Sequence, residues 1–252
     1  MADEPELLKA VLAAPDEDGP RLDYARWCDA QPDAAWNARA ELIRLQLDTA
    51  GLDPTNPAVH GNRRRINTLL DTFRSTWAQP LAAWVDDVQF LRGFVGLVKL
   101  SAQSFVGHAD DILARAPVQH LDLAQVRDVD EALADSPALG NIRSLRMDRG
   151  GLHDVHVQLL AASAHAANLR WLSLAHNHLT LATAESLAAS PHLGKLEFAD
   201  FLGNPFDPSE QLGLDSGVVV ASWMPPEAQD LEARYGTLRW LHREPPVHRF
   251  EG

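Results

Sequence analysis

Cysteine is almost missing from this chain: its 252 residues hold one, Cys28. A single thiol excludes an internal disulfide framework, so nothing here implies an oxidising compartment. Long apolar runs are missing too. None reaches the roughly 18 residues a membrane-spanning helix needs. The opening stretch MADEPELLKAVLAAPDEDGP is acidic and has no basic n-region, so it does not read as a secretory signal. The expected location is therefore the cytoplasm. Positive charge is scarce: 22 Lys and Arg stand against 35 Asp and Glu, a formal net charge of −13. Such a surface repels phosphate backbones and argues against nucleic-acid binding. No glycine-rich phosphate loop occurs, because the stretch Gly213 to Gly217 lacks the Lys and Ser/Thr such a loop needs. No HExxH arrangement puts two histidines and a carboxylate on one helix face.

What is present is a globular composition, 46% hydrophobic, long enough for one large domain or two small ones. Residues 1–88 read as helical. EPELLKAVLAA sets Leu7, Leu8, Val11 and Leu12 on one face, and ARAELIRLQLDTAG repeats the pattern before Gly51. The helix within NRRRINTLLDTFRSTWAQPLAAW is interrupted at Pro80. The run Arg63-Arg64-Arg65 reads as a solvated helix face.

Over residues 89–252 the pattern becomes repetitive. Segments starting at Val95, Val118, Ile142, Leu169 and Leu196 align, with apolar residues at positions one, four and six. Their fourth positions are Val98, Leu121, Leu145, Leu172 and Ala199, spaced by 23, 24, 27 and 27 residues. Position nine is Gly150, Asn177 and Asn204 in the last three segments. Helical stretches lie between them, and Pro117, Pro137 and Pro191 close three of these. A short strand followed by a helix cannot bury its own apolar face, whereas stacked copies can.

These features resemble leucine-rich repeats of the ribonuclease-inhibitor type. The stretches DEDGPRLDYARW, RAELIRLQ, FLRGFV and PPEAQDLEARYGTLRWL resemble the bacterial repeat-companion domain and the repeats that follow it. Cys28 departs from that family's usual aliphatic residue, and DAQPDAAWNA is longer than its usual acidic loop. The resemblance implies an α/β leucine-rich-repeat solenoid, a short horseshoe with strands inside and helices outside, behind an N-terminal α-helical domain. It carries over no catalytic activity, no metal and no cofactor. The C-terminal cap is expected as a helix over PPEAQDLEARY and a strand over TLRWLH.

Two readings compete for LSLAHNHLTL. His176 and His178 could hold a metal, but a metal site needs further ligands at workable geometry. Asn177 instead stands in register with Asn204, and a side-chain amide there can satisfy backbone groups where the chain leaves a strand. Asn177 and Asn204 are therefore expected as structural turn residues. His153 and His156 read as a solvated helix start, and Cys28 as a buried thiol.

Within each repeat, positions four and six point to the core and three, five and seven to the other face. That face then carries His120, Trp171 and Phe198 in one row and Lys99, Asp122, Arg146 and Asp200 in the next. Exposed aromatics flanked by charge resemble a protein-binding hot spot. The C-terminal segment, with Trp223 and Trp240, could alternatively cover them. The expected activity is non-catalytic binding of a partner protein, as a monomer or within a hetero-complex. The alternatives are a regulatory subunit or inhibitor of an enzyme such as a protease or defence effector, and a metal-dependent hydrolase using the histidines.

Overall fold

The computed structural model describes residues 3–53, 55–208, 211–215, 218–223 and 226–241. Among these residues the chain is α/β, with nine α-helices, a mostly parallel six-stranded sheet that does not close into a barrel, and a separate antiparallel pair. No helix among them is long and apolar enough to cross a membrane. The chain divides into two compact units. One runs to Lys99 and includes His108–Val118; the other holds Leu100–Gly107 and continues from Gln119.

The first unit begins with α1 (Glu4–Ala13), α2 (Asp18–Asp29), α3 (Ala34–Ala50) and α4 (Pro57–Ala78). Their starts are written locally. Side-chain oxygens of Asp3, Asp33 and Asn56 accept from the backbone N–H of Glu6, Ala35 and Ala58 at 3.2, 2.8 and 2.9 Å. Pro57 opens α4 where its missing N–H costs no helical bond. The helices pack in sequence order around Val11, Tyr24, Ala25, Cys28, Ala40, Ile43 and Phe94. Trp27 meets Trp36 edge-on, and Tyr24 meets Phe94 edge-on at 5.0 Å.

Strands β1 (Asp87–Leu91) and β2 (Phe94–Ser101) pair antiparallel through a two-residue turn. Arg92 and Gly93 in that turn both have positive φ, 52° and 85°, the combination a tight hairpin demands. Gly93 has a second reason to lack a side chain. A Cβ there would sit 2.7 Å from the Cα of Ile43.

β1 ends its sheet, and the helices cap its backbone with side chains. The Val88 carbonyl accepts from Arg74, the Phe90 carbonyl from Gln46 Nε2 at 2.8 Å, and the Arg92 carbonyl from Arg21 at 2.8 Å. Gln46 Oε1 in turn accepts from the Gly93 N–H at 2.6 Å. Edge strands left open invite pairing with other chains; here three helices each send one polar side chain to close part of that edge. Arg39, 7% exposed, sits beside the rings of Trp77, Phe90 and Phe94 at 5.1, 5.0 and 4.9 Å. Burial pushes its pKa down to about 10.

In α5 (Ala102–Leu113) the backbone leaves helical values at His108, with φ −135° and ψ 15°. The second unit then stacks β3 (His120–Ala124), β4 (Ser144–Arg146), β5 (Trp171–Ser173) and β6 (Phe198–Asp200) in parallel. Between them come α6 (Asp130–Ala134), α7 (Asp154–Ala162) and α8 (Leu181–Ala189), with short 3-10 turns. The strand partners are Leu121↔Leu145, Leu145↔Leu172 and Leu172↔Ala199. These are the fourth positions of the aligned segments, and all are buried. The sixth positions, Leu123, Met147, Leu174 and Phe201, are buried beside them.

Two more strands, β7 (Gln211–Asp215) and β8 (Val218–Trp223), form the antiparallel pair. α9 (Pro226–Tyr235) follows and ends at Gly236, whose φ is 82°. The strand expected over TLRWLH is absent. Arg239–Leu241 form a 3-10 turn closed by the Leu241 N–H on the Leu238 carbonyl at 2.9 Å. Trp240 and Leu241 are both buried, and an extended chain would have sent these neighbours to opposite faces. His242 lies outside the described residues.

Candidate functional site

The second unit's backbone is tied by side chains recurring at one interval. Asn177, 3% exposed, accepts from the Leu152 N–H at 3.0 Å and donates to the carbonyls of Met147, Leu174 and Ala175. Twenty-seven residues on, Asn204 Oδ1 accepts from the N–H of Asn177 and of Leu179, and its Nδ2 donates to Leu174 and Phe201. Each amide closes its own turn and reaches back to the preceding one. A second ladder went unnoticed in the sequence. Ser163 Oγ donates to the Ala134 carbonyl, and Ser190 Oγ to the Ala161 carbonyl, each 29 residues back. Both serines also accept from a backbone N–H two residues on, at His165 and His192. The signal was available, since Ser163 and Ser190 are themselves 27 apart. Serine is so common in helix-end turns that even three copies at one interval, Ser136 included, did not stand out.

The strand face built on this frame carries most of the side chains singled out above. Trp171 and Phe198 are partners on β5 and β6, with rings stacked 4.4 Å apart at 22°. They are not an open pair. Phe198 is only 5% exposed, while Trp171 is half-buried. The sequence pattern placed Phe198 on the outer row but could not show what packs over that row. Trp240 lies near Phe201 at 6.2 Å, and the Trp223 side chain lies outside the described residues.

The charged row is better exposed. The Arg146 side chain on β4 is 53% exposed and lies between two carboxylates, Asp122 at 3.8 Å and Asp148 at 3.5 Å. Asp148 was overlooked as a site residue. It accepts from Ser173 Oγ at 2.7 Å and from the Ala175 N–H at 2.9 Å, so it is fixed in place as it faces Arg146. Its position-seven place in the repeat was the available clue. Asp200 on β6 accepts from the Leu202 N–H at 2.9 Å. His120 on β3 is half-buried opposite Ser144. Lys99 is exposed on β2 and belongs to the first unit.

Four of the histidines lie close to one another in sequence or in space. His156 Nδ1 accepts from the His153 N–H at 2.9 Å at the start of α7. His178 stacks on His153 at 5.1 Å, and His176 occupies a left-handed turn position with φ 57°. Among the described residues no group of three or more His, Cys, Asp or Glu is placed to hold a metal. Asp154, beside them, is fully engaged. Burial raises its pKa, but hydrogen bonds from Thr183 and Thr180 outweigh this and leave it below the usual carboxylate value. Comparison with known proteins found no matching family model, no similar curated protein and no similar solved structure.

Proposed function

We propose that this chain is a non-catalytic protein-recognition module whose partner docks on the strand face of the second unit. The observation that carries the reading is the in-register array there. Arg146 stands half-exposed between Asp122 and Asp148, one strand from Trp171 and two from Asp200. The asparagine and serine ladders hold those strands in one arrangement, so little ordering entropy is lost on binding. Three carboxylates against one guanidinium favour a partner that presents positive charge.

The finer fold reading belongs to the same proposal: a leucine-rich-repeat solenoid behind a repeat-companion domain. It is supported by the 27-residue recurrence of the ladders and by the parallel register. The quoted N-terminal motifs support it too, since Arg21, Gln46, Arg92 and Gly93 all act at the β1 edge. The partner-binding set is Trp171, Arg146, Asp122, Asp200 and His120, with Phe198 acting as the buried support of Trp171. Lys99, an exposed cation of the first unit, is not part of the set.

The test compares wild type with the Trp171→Ala/Arg146→Glu double variant in affinity capture from the source cell with quantitative mass spectrometry. A partner enriched by wild type should fall by about tenfold or more with the variant. Equal recovery moves the site off this face.

A further inference from the structure

The first unit holds a groove of about 740 Å³, and we propose that it binds an extended, cationic segment of a partner protein. One wall is α4 from Asn67 to Ala78, the other the chain from Ala82 to Phe90. Eleven helical steps give a trough roughly 16 Å long, and five strand residues match that length. An extended segment of about five residues fits.

The wall chemistry selects the occupant's side chains. Leu70, Val85 and Val88 contribute apolar surface. Arg74 is already committed, bonded to Asp87 and to the Val88 carbonyl. Asp71 and Asp86 remain, both exposed, and their carboxylates meet no cation among the described residues. Three carboxylates and one guanidinium leave the groove with an excess of two negative charges. The complement is a lysine or arginine flanked by apolar side chains. Binding is through side chains and not by strand addition, because the Val88 and Phe90 carbonyls are already taken by Arg74 and Gln46.

This site is independent of the strand face proposed above, and its test uses a different readout. The full chain, ¹⁵N-labelled, is titrated with the capped peptide Gly-Val-Arg-Val-Arg-Val-Gly, with its Glu-for-Arg twin, and with spermine. The Arg peptide should shift amides of the α4 wall and of β1, and the twin should not bind. Asp71→Asn/Asp86→Asn should weaken the Arg peptide by about fivefold or more, as expected for two exposed ion pairs. Both positions are exposed, and an unchanged thermal transition verifies that the variant is folded. Trp171→Ala should leave peptide binding unaltered. Equal binding of the twin, an unaffected double variant, shifts confined to other residues, or no binding at millimolar peptide would each overturn the proposal. Spermine binding as tightly as the peptide would also overturn it, in favour of a small-cation site.

Discussion

The two units solve one problem by different means. Backbone groups at strand ends and sheet edges must find partners when water is excluded. The first unit uses single, long side chains sent from far away in sequence. Arg21 reaches Arg92 across 71 residues, and Gln46 reaches Phe90 across 44. The second unit uses short side chains at a fixed interval, Asn177 and Asn204, then Ser163 and Ser190. A one-off staple serves a single stretch of backbone. A ladder spreads the task over rungs, each supported by its neighbour.

That contrast can be broken most directly at Gly93. Gly93→Ala should cost about 3 kcal/mol or more in urea denaturation, through its positive φ and the clash with the Ile43 backbone. A cost within the range of ordinary surface changes would show that the turn is not fixed as described. Asn177→Ala should cost about 2–3 kcal/mol, because it strands the buried Leu152 N–H, and Asn204→Ala should cost less, since its bonds are only partly buried. The reverse order would overturn the picture of shared rungs. Gln46→Leu should cost about 2 kcal/mol by leaving the Phe90 carbonyl and Gly93 N–H without their partner. Gln46→Glu should recover only part of this, as it retains an acceptor for Gly93 but no donor for Phe90.

The smallest effect concerns Cys28, buried in the helical core. Burial pushes its thiol up to about 12, from an ordinary value of 9.0. The folded pKa is raised, so the thiol's contribution to stability is complete below pH 9 and is lost as pH rises toward 12. Cys28→Ala should therefore flatten the fall in stability between pH 9 and 10. Tyr24, whose pKa burial also raises, adds to the fall only above its ordinary value of 10.0, beyond that window. The native thiol should also resist a disulfide reagent at pH 8 until the protein is unfolded.

Legibility followed the same divide. The strand register of the second unit was readable because the same residue types recur: Leu121, Leu145 and Leu172 pair where the alignment placed them. The role of Asn177 was readable from Asn204. Asp148 was visible as a repeat position, but its bonds to Ser173 and Ala175 were not. The C-terminal turn was misread as a strand because Thr237 to Trp240 alternate polar and apolar, and only Leu241, buried beside Trp240, breaks that pattern. The groove in the first unit gave no sequence signal, since Asp71 and Asp86 lie in ordinary polar stretches that the fold alone brings to one trough.

By itself the sequence determined the α/β class and the interval at which strands recur. These are periodic properties, set by the spacing of apolar side chains. Tertiary structure alone decided that Phe198 is covered, that Arg146 stands between two carboxylates, and that Arg21, Gln46 and Arg74 close a strand edge. Each depends on which distant groups meet, and a long side chain gives no sign in sequence of the carbonyl it will reach.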